Sequence, residues 1–147
     1  MKKIMLVLGL MLSIAVTSAF ASEVEISSKV LNAFKKEFST AQEVKWLEID
    51  NYYRASFKYN EQNIFAYYTL DGELKAVTRY ISSLQLPINL LADLKNDFSE
   101  YWVTDLFELN NNEGTHYYIT LEDADTVVKM VSSNSGEWRT LSKKRKI

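Results

Sequence analysis

The second half of the chain repeats the residue pattern of the first, and no other feature of the sequence limits the possible folds as strongly. With a shift of 60, Phe34-Lys35-Lys36-Glu37-Phe38-Ser39 falls on Leu94-Lys95-Asn96-Asp97-Phe98-Ser99, and Trp46-Leu47-Glu48 falls on Leu106-Phe107-Glu108. After the Asn-rich segment 110–114 the shift becomes 64, so that Tyr53, Ala55 and Phe57 meet Tyr117, Ile119 and Leu121, and Asp71-Gly72-Glu73 meets Ser135-Gly136-Glu137. Each match alone is a packing preference. Their common order predicts two units built alike, about residues 27–82 and 86–142, each closing on a hairpin whose glycine supplies a positive φ.

Within the first unit, Val30, Phe34 and Phe38 recur at helical spacing behind Ser27 and Ser28, which can cap a helix start. Val44-Lys45-Trp46 reads as a short strand. Tyr53, Ala55, Phe57 and Tyr59 then alternate with Tyr52, Arg54, Ser56 and Lys58, and Ile64, Ala66, Tyr68 and Leu70 alternate after the polar segment 60–63. Asp71-Gly72 marks a hairpin, and a fourth strand runs from Glu73 to about Tyr80. Pro87, the one proline, stands where the second helix begins, at a position where its missing N–H costs nothing. The fold class expected is α+β: two tandem repeats, each a helix packed on an antiparallel sheet of about four strands. Trp46, Trp138, Phe34 and Phe98 fall on the periodic apolar faces and are assigned to the core.

The N-terminus sets the compartment. Lys2 and Lys3 precede an apolar stretch at 4–16, and Ala19 and Ala21 occupy the small-residue positions that a signal peptidase reads. Residues 1–21 are therefore expected to be a secretory signal peptide too short to span a bilayer, with the mature protein beginning at Ser22 and residing in the periplasm or outside the cell. The 147 residues less 21 leave 126, one domain of ordinary size. The chain has no Cys, so no disulfide stabilises that domain and core packing must. Its net charge is −2, and loss of Lys2 and Lys3 with the leader takes it to −4. Four basic residues crowd into a tail at 143–147, so the remainder is acidic, which argues against a nucleic-acid partner.

Together Phe34-x3-Phe38, Val44-Lys45-Trp46, Tyr53-x-Ala55-x-Phe57, Ala66-Tyr67-Tyr68 followed by Asp71-Gly72-Glu73, and Leu86-Pro87 resemble the PepSY-like, β-lactamase-inhibitor-like family of small exported proteins of Bacteroidetes-type bacteria. The resemblance covers nearly all of the mature chain. It implies helix-on-sheet units akin to β-lactamase inhibitor protein and brings no catalytic motif with it.

The residues point the same way. His116 is the only histidine, and no nucleophile or metal-ligand spacing accompanies it. Glu122, Asp123 and Asp125 supply oxygen ligands for calcium but lack the glycine and spacing of a calcium loop, and turn chemistry accounts for them. No cofactor or metal is expected. Arg54, Phe65, Tyr67, His116 and Tyr118 all fall on the strand face opposite the core residues, where a purely solvated strand would carry Thr, Lys or Glu. These five are the candidate binding residues, since Tyr and Arg are common recognition anchors. The expected function is non-catalytic binding of an envelope protein or peptide, in the manner of a peptidase or other enzyme inhibitor. Capture of a small molecule or peptide on the aromatic face is the alternative, and an enzyme of unrecognised type the third.

Overall fold

The computed structural model describes residues 24–147; the signal peptide expected at 1–21 lies outside them. Helix α1 (Ser28–Glu37) is followed by strands β1 (Gln42–Ile49), β2 (Tyr52–Tyr59), β3 (Gln62–Thr69) and β4 (Leu74–Tyr80). A short 3-10 turn (Ser83–Gln85) leads into α2 (Ile88–Asp97), and β5 (Trp102–Asn111), β6 (Gly114–Glu122), β7 (Thr126–Ser133) and β8 (Arg139–Arg145) complete the chain. The eight strands form one antiparallel sheet in simple sequence order.

This corrects the expected fold class. There are not two helix-on-sheet repeats: β4 pairs with β5 from Ala76↔Asn111 to Tyr80↔Phe107, and the sheet runs unbroken from edge to edge. The architecture is mostly β, eight strands of seven to ten residues against two ten-residue helices. Periodicity reveals which face of each strand is buried but is silent on which strands pair, so it could not register the pairing that joins the halves.

One face of the sheet carries both helices. Val30 and Phe34 of α1 are buried over Ala55, Phe57, Ile64, Ala66 and Tyr68. Leu90 and Leu94 of α2 are buried over Leu106, Ile119, Leu121, Val128 and Met130. Trp46 and Phe38 flank the first cluster and Trp138 and Phe98 the second, half-buried rather than enclosed. The Trp138 indole N–H donates to the Leu90 carbonyl at 3.1 Å, which ties the approach to β8 to α2. Helix α1 starts as its sequence suggests, with the Ser27 hydroxyl accepting the Val30 N–H at 3.4 Å. Pro87 stands one residue before α2, as its cap and not inside its first turn.

Between the two clusters the same face turns polar. Arg79 of β4 donates to both carboxylate oxygens of Glu108 on β5, at 3.2 and 3.1 Å, and to Gln62 at 2.8 Å. Asn110 also donates to Glu108, at 2.8 Å. Burial, and then the Glu108 carboxylate, raises the pKa of the neighbouring Tyr117 phenol above its ordinary value. A bidentate pair held by further hydrogen bonds fixes the register at the junction of the halves.

Two local expectations are also corrected. Gly72 has φ +90, and a Cβ there would lie 3.1 Å from the Lys29 carbonyl oxygen, so the β3–β4 turn fits against α1 only as glycine. Gly136 plays no such part: the positive φ angles of the last hairpin belong to Asn134 and Ser135. The basic run does not fray as a tail, because Lys143, Lys144 and Arg145 pair with β7 and form the edge of the sheet. Charged side chains on an exposed edge discourage pairing with another chain.

Candidate functional site

Because side chains alternate along a strand, burial of Ala55, Phe57, Ile64, Ala66, Leu106, Tyr117 and Ile119 beneath the helices sends the intervening residues to the other face. No element among the described residues covers that face. Cross-strand register arranges its side chains in rows. Arg54 stands opposite Tyr67, and Tyr67 opposite Ala76. Phe65 stands opposite Thr78, Thr78 opposite Leu109, and Leu109 opposite His116. Tyr80 stands opposite Phe107, and Phe107 opposite Tyr118.

The rings touch in sequence. Phe65 meets Tyr80 edge-on with centroids 6.1 Å apart, Tyr80 meets Phe107 edge-on at 6.3 Å, and Phe107 stacks on Tyr118 at 5.0 Å with 10° between planes. The Arg54 guanidinium lies 5.5 Å from the centre of the Phe65 ring. Such pairs hold rings in fixed orientations and leave their remaining faces for a partner.

A groove of about 370 Å³ runs along this face. Arg54, Phe65 and Tyr67 line one side, and Tyr80, Phe107 and Leu109 the other. Of the five residues singled out from sequence, three thus line one groove. Tyr118 extends its aromatic row, and His116 lies one strand beyond the lining Leu109. The His116 Nδ1 shares a hydrogen bond with the Ser133 hydroxyl at 2.9 Å, while its Nε2 is buried with no partner among the described residues. Tyr80, Phe107 and Leu109 were missed. The signal was present, since Phe107 follows the buried Leu106 and Tyr80 keeps the parity of the outward positions of β4.

The acidic cluster is explained by its turn. Asp123 accepts the Asp125 and Thr126 backbone N–H groups at 2.8 and 2.6 Å. Those backbone bonds, the Asp125 one foremost, hold the Asp123 carboxyl below the usual range. The Lys146 ammonium bonds Glu122 at 2.8 Å and the Asp123 carbonyl at 2.8 Å, and lies 5.6 Å from the exposed Trp102 ring. The Glu122 carboxylate thereby fastens the C-terminus, and the Asp123 carboxylate closes its own turn. Among the described residues no three His, Asp or Glu side chains are grouped to hold a metal ion, and no helix is long and apolar enough to cross a membrane.

No family model matches the chain, and no curated protein matches it. Solved structures do. It is similar to a BLIP-like protein from Bacteroides fragilis at 21% identity and a TM-score of 0.71, over 84% of this chain and 89% of that one. A presumptive periplasmic protein from Bacteroides eggerthii matches at 20% identity and a TM-score of 0.70, over 82% and 89%. A DUF2874 family protein from Bacteroides ovatus matches at 17% and 0.71, over 82% and 88%. Identities this low establish the fold, which is BLIP-like, and leave function to the site.

Proposed function

We propose that this is an exported, non-catalytic binding protein whose helix-free sheet face recognises another protein of the cell envelope. The observation that carries the reading is the continuous aromatic row across β3 to β6, in contact from ring to ring and left uncovered by the described residues. Contiguous apolar surface rimmed by polar groups is the usual mark of an interaction site. The lining offers rings, aliphatic groups, hydroxyls and two arginines, Arg54 and the Glu108-paired Arg79, which is the chemistry of recognition rather than of bond breaking.

Export and a periplasmic location are supported by the leader-like N-terminus and by the periplasmic designation of the Bacteroides eggerthii structure. The designation BLIP-like for the Bacteroides fragilis structure favours protein binding of the inhibitor kind, with a peptidase or other envelope enzyme as target, and the PepSY-like resemblance agrees with it. The groove volume also suits a small ligand. Against that alternative, Tyr80 at the groove is 65% exposed, so the site is an open face and not an enclosing pocket.

The test pairs stability with capture. Wild type and the Phe65→Ser/Tyr67→Ser variant are used as bait against the native envelope fraction, and both are melted. The variant should fold and lose its partner by about 2 kcal/mol or more, roughly thirtyfold in affinity. A variant that unfolds makes these rings part of the core, and one that folds and retains the partner makes the face idle.

A further inference from the structure

The groove has a charge of its own. Although the chain as a whole is acidic, β2, β3 and β4 contain no Asp or Glu, and they carry Arg54, Lys58, Lys75 and Arg79. Three of those four cations are committed to carboxylates, Lys58 to Glu43, Lys75 to Glu73 and Arg79 to Glu108. Arg54 is the exception among the described residues, and it lines the groove; Arg79 lines it too, but Glu108 holds its guanidinium. Its Nε is buried and has no hydrogen-bond partner among the described residues. The Phe65 ring engages the face of the guanidinium but cannot accept its in-plane N–H groups, which keep their fork geometry for a planar two-oxygen acceptor.

We infer that Arg54 is the anion hook of the binding face, and that the groove takes a partner-protein segment in which an Asp or Glu side chain lies near a bulky apolar residue. This rests on the helix-free face being the binding face. The carboxylate sits in the plane of the guanidinium, beside Tyr67 across the strand, and receives two parallel N–H bonds. The apolar residue enters between Tyr80, Phe107 and Leu109. From Arg54 on β2 to Leu109 on β5 is three strand spacings, about 14 Å, which an extended peptide covers in about four residues. Arg54 therefore sets both the charge of the partner and the spacing of its anchors.

The experiment selects random hexapeptides displayed on phage against the protein purified from an exporting host. The expected winners carry an acid within about four positions of an aromatic or large aliphatic residue. Resynthesised with Asn or Gln in place of the acid, they should bind wild type about tenfold more weakly, the value of a charge-assisted pair. On Arg54→Gln, with its melting temperature checked, that ratio should shrink to about twofold or less, and on Arg54→Lys, which retains charge without the fork, to a value between. If Arg54→Gln does not fold, the Arg54→Lys ratio decides, and a ratio unchanged from wild type overturns the hook. Winners without an acid, an acid preference that survives Arg54→Gln, or no enrichment would each overturn it too. Acid-free winners that are lost on Phe65→Ser/Tyr67→Ser remove only the hook and leave the binding face standing; winners indifferent to both sets of changes remove both.

Discussion

Replacing Tyr68 with Phe should stabilise the protein, by a margin that widens with pH. The Tyr68 ring is 0% exposed, set between Phe34 and Trp46 with centroids 6.4 and 6.1 Å away, and its hydroxyl is buried without a partner among the described residues. An unsatisfied buried hydroxyl costs about 1–3 kcal/mol, and the small void left by its removal returns part of that, so a net gain of about 1 kcal/mol is expected at pH 7.

Burial, with Glu37 adding to it, pushes the Tyr68 phenol up to about 12. The protonated phenol is the neutral form, so a folded-state value above the unfolded one of about 10 favours folding at every pH below 10 and loses that contribution as pH rises towards 12. The whole term is about 3 kcal/mol, of which about 1.4 kcal/mol is gone by pH 11. Phe cannot ionise. The variant's advantage should thus grow from about 1 kcal/mol at pH 7 to 2–3 kcal/mol at pH 11. Urea unfolding of both proteins at matched pH reads it, and lysine or Tyr117 titration cancels in the difference. A variant less stable than wild type at pH 7, with a gap that does not change on going to pH 11, would show that the hydroxyl is hydrogen-bonded after all.

Two further outcomes follow from packing and from the C-terminal fastening. Phe34→Ala should cost about 3–5 kcal/mol in chemical denaturation, and Phe98→Ala at least about 1 kcal/mol less, since Phe34 is 5% exposed while Phe98 caps α2 half-buried. Acid should loosen β8 before the core. Bonds from Lys146 hold the Glu122 carboxyl, and backbone N–H bonds the Asp123 carboxyl, below their ordinary values, so their contribution is present at neutral pH and is lost as pH falls through the depressed folded values. Hydrogen exchange at the β8 amides should rise below pH 4 while those of β6 stay protected, and Lys146→Ala should produce the same pattern at pH 7.

Single strands and helices were legible because alternation and helical spacing record burial directly. Ala55, Phe57, Ile64, Ala66 and Tyr68 were assigned inward and are buried, and with them the outward position of Arg54, Phe65 and Tyr67 followed. What failed needed information from outside the segment. Gly136 looked like Gly72 because both follow a polar residue at a hairpin, yet the backbone there places the left-handed turn on Asn134 and Ser135. Lys143 to Arg145 read as a solvated tail because a charged edge strand has no apolar alternation to reveal it. Trp102 is exposed on β5 beneath Lys146.

The misread fold class and the site are connected. Two separate four-stranded units would place Tyr80 at the end of one and Phe107 at the start of the other, with no reason for contact. Pairing of β4 with β5 sets those two residues opposite each other, and only then does the row Phe65, Tyr80, Phe107, Tyr118 become continuous. The same pairing brings Arg79 against Glu108 on the opposite face. A single strand junction therefore neutralises two charges between the cores on the helix side and completes a groove on the other. Because side chains alternate, a slip of one residue at that junction would turn one strand over relative to the other, putting Tyr80 and Phe107 on opposite faces and parting Arg79 from Glu108. The Arg79–Glu108 pair thus holds in register the groove that Arg79 itself helps to line.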